Sequence, residues 1–305
     1  MHPSNAVPVL RTDVLDRANA RDLQRRHRAG EVIRVRHGVY VEAAAWAALD
    51  ERARHLVRMR AVLPLVRAGS MWALDSAGAV LGVPRIEPWP AQAHVFAPDL
   101  DADRRRVGLT MHAEHPVRSG IEFHGVGVTE LAQTVVGLAR RGSLCTAVVS
   151  LDHALRSGVP EEELRARAAD AGPWGAARVE QALRRCDARH ESVGESWFAA
   201  RAGQLGLRGL VPQHVFVAPD GTIDRVDFWL PDEGVVVEFD GRQKYDDPDM
   251  LQGRSASDVV WAEKIREDRL RARPEVRTVV RPRWWHLVDP ERLRALFRMH
   301  GVRCR

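Results

Sequence analysis

A chain of 305 residues with 45% hydrophobic and 29% charged content has room for two or three domains, each able to bury a core. Its net charge of +5 and pI of 9.7 permit an anionic partner such as nucleic acid without requiring one. No apolar run reaches membrane-spanning length, no apolar signal region opens the chain, and Cys145, Cys186 and Cys304 match no CxxC or zinc spacing, so a cytoplasmic protein with reduced thiols and no membrane contact is expected.

In chain order, Asn19 is placed to cap a helix through Arg21, Leu23, Arg25 and Arg26, which Gly30 stops. Glu31-Val-Ile-Arg-Val-Arg-His-Gly-Val-Tyr-Val41 then reads as two short strands around Arg36-His37-Gly38. Two helices followed by a ribbon is the order of a winged helix, predicted here over residues 1–60. Arg25 and Arg26 would lie in a DNA major groove, with Arg34, Arg36 and His37 on the wing. A solvated charged helix face accounts for the same run equally well.

Residues 61–188 read as an α+β region of unassigned role. Helical patterns run through Val62–Val66, Leu131–Ala139 and Ala147–Leu155, with Thr129 and Ser150 near the starts. Strand candidates are Ala93–Ala97, Gly108–His112 and Ile121–Val126. His112, His115 and His124 fit no ligand spacing and are expected as surface or core residues.

From residue 189 onward the predicted order is α-β-β-β-α-β-α, a mixed sheet flanked by helices, so the whole chain is assigned to a multi-domain α/β class. Trp197, Phe198, Arg201 and Leu205 are spaced to pack a helix on a sheet, and Val211–Val217 is its first strand. In the next hairpin Val226, Phe228 and Leu230 share one face, as do Val235, Val237 and Phe239, around the turn Pro231-Asp-Glu-Gly234. Symmetric pairing about that turn sets Asp227 opposite Glu238, with Asp240 two residues on and opposite Arg225. Like charges face to face destabilise a sheet, and a divalent metal would relieve them.

Mg²⁺ takes oxygen ligands and needs only one or two carboxylates beside water and phosphate. Asp227 and Glu238 supply that set, with the Phe239 carbonyl as a third ligand and Glu195 as a fourth. Asp240 is either a further ligand or half of an ion pair with Arg225, and Glu195 is either a ligand or an ordinary first-turn glutamate. Of 46 cationic residues only Lys244 and Lys264 are lysine, and both fall near these carboxylates. A lysine can position water and donate a proton; Lys264 can equally pair with Asp268 along its helix. Trp284 and Trp285 are expected in a core.

The combination of Glu195, Val211-Pro-Gln213, Arg225-Val-Asp227, Val237-Glu-Phe-Asp-Gly241, Lys244-Tyr245 and Glu263-Lys-Ile-Arg-Glu-Asp268 resembles a PD-(D/E)xK endonuclease domain of the very-short-patch-repair type. The resemblance spans roughly residues 190–290. It implies a restriction-endonuclease-like fold in which Asp227 and Glu238 bind Mg²⁺, with Mn²⁺ as a substitute. The position where that family carries its lysine holds Asp240, so the role would pass to Lys244 or to Lys264. Leu23 through Tyr40, together with Ser76–Pro84 and Val128–Val136, resembles the winged helix and following region of abortive-infection type IV antitoxins. The expectation is therefore a Mg²⁺-dependent endonuclease hydrolysing DNA, in phage defence or DNA repair. The alternative is a DNA-binding regulator or antitoxin whose nuclease fold is inactive. The implied partners are DNA and a cognate toxin or modification enzyme.

Overall fold

The computed structural model describes residues 7–12, 17–218, 220–241 and 256–304. The chain is mixed α/β and divides into two compact units, Met1–Val179 and Glu180–Arg305.

Unit 1 begins with strand β1 (Leu10–Arg11), helix α1 (Arg17–Arg28) and the ribbon β2 (Val32–Arg36) and β3 (Val39–Glu42). Gly38, at φ 70°, closes the ribbon turn, and β1 adds to β3 to give the order β1-β3-β2. Two expectations change here. Asn19 lies inside α1, which already runs at Arg17, so it is not at the helix start where a cap was expected. One helix, not two, precedes the ribbon among the described residues, with a strand before it.

Helices α2 (Ala43–Ala47) and α3 (Glu51–Val62) follow, the latter capped by the Asp50 carboxylate, which accepts from the Ala53 N–H at 2.7 Å. Helix α3 serves two cores. Ala53 and Val57 pack with Val7, Val41 and Leu49. Leu56, Met59 and Val62 join Trp72, Val95, Leu109 and Met111. Positions three and four apart share a helix face, so two adjacent stripes on one helix tie residues before and after position 60 into the same unit.

The second core belongs to a six-stranded sheet. Its strands are β4 (Met71–Trp72), β5 (Ala93–Phe96), β6 (Arg104–Arg106), β7 (Leu109–His112), β8 (Arg118–Phe123) and β9 (Val126–Thr129), in the order β6-β7-β5-β4-β9-β8. Helix α4 (Leu74–Leu81) follows β4, and α5 (Leu131–Arg141), α6 (Leu144–Arg156) and α7 (Glu161–Asp170) follow β9. Ser143 caps α6, accepting from the Thr146 N–H, whereas Ser150 sits in mid-helix and donates to the Thr146 carbonyl at 2.8 Å. The helix expected over Val62–Val66 ends at Val62 and tightens into a 3₁₀ turn. The division between the units falls within α8 (Ala176–Leu183).

Unit 2 is built on α9 (Val193–Gln204), β10 (Val211–Val217), β11 (Ile223–Leu230), β12 (Val235–Val237), α10 (Ala256–Arg271), β13 (Thr278–Val280), α11 (Trp284–Val288) and α12 (Pro290–Met299). The sheet order is β10-β11-β12-β13, antiparallel twice and then parallel, because α10 carries the chain back between β12 and β13. Val235, Val236 and Val237 are all fully buried, so β12 is covered on both faces. On one face Phe198 of α9 meets Phe228 at 5.0 Å and Phe297 of α12 at 6.1 Å. On the other, Leu270 of α10 closes over Trp229, Val236 and Val279. Burying a side chain such as Phe198 stabilises by about 1.5–3 kcal/mol. Trp284 and Trp285, expected in a core, are 39% and 50% exposed. No helix among the described residues is long and apolar enough to cross a membrane.

Candidate functional site

The hairpin turn is a 3₁₀ turn over Pro231–Glu233 with Gly234 at φ 61°, and it pairs Phe228 with Val237, Trp229 with Val236 and Leu230 with Val235. One step beyond the Phe228–Val237 pair, away from the turn, come Asp227 and Glu238, so the two carboxylates stand abreast on neighbouring strands. The ladder opens there. The Phe239 N–H donates to the Asp227 carboxylate at 2.7 Å instead of to backbone, and the Glu238 N–H turns to the Val280 carbonyl of β13 at 3.0 Å.

Glu238 is held by two guanidinium groups. Arg266 of α10 reaches one carboxylate oxygen at 2.5 Å, and Arg281, just after β13, donates to the other at 3.0 Å. The Arg266 guanidinium also donates to the Arg225 carbonyl at 2.5 Å, while Arg281 lies 3.1 Å from Glu267. The Glu238 side chain is 13% exposed and carries two fixed cations. A guanidinium fork suits a carboxylate, and it suits a phosphate for the same reason.

Asp240 goes elsewhere. The parallel approach of the chain after β13 bridges Asp240 to Arg283, whose side chain pairs with it at 2.9 Å. Arg225, its expected partner, instead forks onto Glu191 at 2.8 and 3.1 Å. Among the described residues no group of three His, Cys, Asp or Glu side chains converges as a ligand set, so Asp240 does not join Asp227 and Glu238.

Glu195 is 6% exposed and works as a reciprocal cap. Its own N–H donates to Ser192, the Ser192 hydroxyl donates back at 2.7 Å, and the Glu191 N–H donates at 2.9 Å. Gln213 then donates to the same carboxylate at 2.8 Å. Gln213 lies abreast of Asp227, between the pairs Pro212 with Phe228 and His214 with Val226. It holds φ 51°, a backbone strain of about 1–3 kcal/mol for a non-glycine residue. Gly194 allows the first turn of α9 to lie on Phe239, since a Cβ there would sit 2.1 Å from the ring. Glu195 and Gln213 thus flank the carboxylate pair. The one local sign of Gln213's part is a Pro-Gln step inside a strand-like run.

Lys264 projects from α10 into solvent, its ammonium 5.3 Å from the Trp261 ring centre. Lys244 lies outside the described residues.

In unit 1, Arg25 and Arg34 are exposed, as is His37, and Arg25 pairs with Asp22. Arg26 is instead tied to Glu31 at 3.2 Å and Glu42 at 2.7 Å, bracing α1 against the ribbon. Arg36 donates to the Ala61 carbonyl at 3.2 Å, at the negative end of the α3 dipole. Two of the five expected DNA-binding residues therefore hold structure together.

Unit 1 also holds a polar chain without a local sequence signal. The His55 imidazole meets the Pro90 carbonyl at 3.1 Å and the Ser76 hydroxyl at 3.1 Å, and Ser76 accepts from the His94 N–H at 2.8 Å. The His94 and His112 rings meet at 3.0 Å, and His112 meets Asp103 at 2.8 Å. Burial holds His55 down to about 4, with Arg58 and Arg85 adding to it, and holds His94 down to about 3, with His112 the next cause. His112 is thus in the core, in contact with Phe96.

No family model, curated protein or solved structure matches this chain.

Proposed function

We propose that the protein is a Mg²⁺-dependent endonuclease acting on DNA, with unit 2 as a restriction-endonuclease-like domain and the α1 and β2–β3 region of unit 1 as a winged-helix-like DNA-binding element. The observation that carries this reading is the placement of Asp227 abreast of Glu238 where the ladder opens, two hard oxygen donors side by side. That donor chemistry fits Mg²⁺, with Asp227 and Glu238 to hold it and the Phe239 carbonyl beside them. Such an ion supplies charge offset at the phosphate and a more acidic bound water. Arg266 would have to release its Glu238 oxygen, and its guanidinium would then be available to a phosphate. Arg281 would keep Glu238 oriented, and Glu195 with Gln213 would fix the neighbouring strand.

Plasmid DNA incubated with Mg²⁺ is nicked or cut by the wild type and not by Asp227→Ala if this is correct; equal activity in the two removes the idea.

A second reading draws on one observation: both oxygens of Glu238 already lie in ion pairs with arginine. A charge-satisfied carboxylate suits an inactive nuclease fold in a DNA-binding regulator or antitoxin. Calorimetric titration with Mn²⁺ separates the two, since the regulator takes up no ion in a Glu238-dependent way.

A further inference from the structure

The strand β6 is a run of three arginines, Arg104, Arg105 and Arg106, each exposed, at the edge of the six-stranded sheet. It pairs with β7 through the two-residue turn Val107-Gly108, where Gly108 holds φ 83° and Val107 is 73% exposed. The turn lies against the N-terminal ribbon. A Cβ on Gly108 would sit 3.8 Å from the Arg36 side chain and 3.1 Å from Val62. Arg36 is fastened to the end of α3, so this juxtaposition is a fixed one. The same small surface therefore brings together Arg104–Arg106 with the strand that displays Arg34 and leads into His37.

The acidic residues just before β6 do not neutralise it. Asp99 pairs with Arg67 at 2.6 Å, Asp103 is engaged by His112 and by the Ala113 N–H at 3.0 Å, and Asp101 is exposed and pairs with none of the three arginines. Among the described residues no carboxylate pairs with Arg104, Arg105 or Arg106. A short charged strand is a common guard for a sheet edge. Side chains alternate along a strand, so Arg104 and Arg106 share one face and Arg105 takes the other. Guarding an edge does not call for three guanidinium groups without counter-ions close to a second basic strand.

We propose that Arg104, Arg105 and Arg106 form a phosphate-binding strip that continues the basic ribbon around Arg34 and His37, so that unit 1 grips the backbone of duplex DNA with the β6–β7 hairpin as well as the ribbon. The inference rests on the reading of unit 1 as a DNA-binding element and assigns a role to residues beyond position 60. Backbone interactions of this kind carry no sequence information; they add affinity and salt dependence.

The test is a salt series of fluorescence-anisotropy titrations with a duplex of about two helical turns, using the full chain. Each phosphate that a variant no longer neutralises lowers the slope of log K against log salt by about 0.9. The triple variant R104Q/R105Q/R106Q is expected to lose about two to three from that slope, with R104K/R105K/R106K keeping most of it. Should the triple glutamine variant aggregate, R105Q alone is expected to lose about 0.9. Wild-type binding with an unchanged slope in these variants overturns the strip and leaves the DNA-binding reading in place. A wild type that binds no duplex at low salt overturns both, as does arginine-dependent binding to anionic lipid vesicles with none to DNA.

Discussion

In unit 1, His55, Ser76, His94, His112 and Asp103 are linked through hydrogen bonds in which the buried imidazoles of His55 and His94 stay neutral. In unit 2, Glu238 is linked to Arg266 and Arg281, and every link joins opposite full charges. The His55 and His94 imidazoles avoid the cost of burying charge by giving up protons, so acid is the weakness of this chain. The charged cluster keeps its ions and meets the desolvation cost by pairing, so loss of a partner is its weakness. The histidine chain runs from the Pro90 carbonyl to the Asp103 carboxylate and has no guanidinium to offer a phosphate. The carboxylate cluster holds cations that a phosphate can claim, and this difference is why unit 2 is the better place to look for chemistry.

The largest effect follows from breaking the charged cluster. Glu238→Gln leaves Arg266 and Arg281 without their shared anion, and a loss of about 3 kcal/mol or more is expected in urea unfolding of unit 2. The double variant Glu238→Gln with Arg266→Gln should recover part of that loss, because one stranded cation goes with it. A loss below about 1 kcal/mol in the single variant would mean that the pair behaves as a solvated surface bridge.

The neutral chain is tested by pH. His55 has its folded value lowered to about 4, so on acidification the unfolded imidazole takes up a proton first. Its stabilising contribution is complete above about pH 6.5 and falls by about 1.4 kcal/mol per pH unit toward the folded value, a total of order 3 kcal/mol. Asp224 in unit 2 is held below its ordinary 3.8, chiefly by the hydrogen bond from Arg269, so its contribution is lost only below that range. Burial lowers His214 and His286 of unit 2 as well, but less far than His55 and His94, so on acidification unit 1 should weaken more steeply than unit 2. His55→Leu should flatten the unit 1 dependence while lowering its stability at neutral pH by about 1–3 kcal/mol, since Ser76 and the Pro90 carbonyl lose their partner. Thermal melts across this range that show both units weakening together would erase the contrast.

The sequence carries some of this plainly and some not at all. Period-two alternation on both sides of a turn-forming Pro-Asp-Glu-Gly is enough to set Asp227 beside Glu238, because a hairpin register follows from its turn. The partners of those carboxylates come from elsewhere. Arg266 arrives on a crossover helix and Arg281 on a parallel strand, and nothing local announces either. Asp240 shows the same limit: antiparallel counting points it at Arg225, but the parallel neighbour supplies Arg283 and Glu191 draws Arg225 away. The ribbon at residues 32–42 is legible from its glycine turn, whereas the engagement of Arg26 and Arg36 is not, since an arginine-rich run looks alike whether it faces solvent or braces a fold. The histidine chain joins residues scattered from position 55 to 112, with no spacing to mark them.

The smallest effect concerns which cation on α10 matters. Lys264 and Arg266 are two residues apart, about 200° around a helix, so they face opposite ways. Lys264 rests over Trp261, which is 60% exposed, and Arg266 reaches Glu238. An exposed cation–π interaction is worth about 0.5–1 kcal/mol, so Lys264→Gln should shift the stability of unit 2 by less than about 1 kcal/mol and leave plasmid nicking unchanged. Under the nuclease reading Arg266→Gln should slow nicking about 100-fold, the scale of removing one preorganised cation from a developing phosphate charge. If Lys264→Gln instead abolishes nicking while Arg266→Gln retains it, α10 must turn its lysine inward when DNA binds, and the ion pair between Arg266 and Glu238 is then only a resting arrangement.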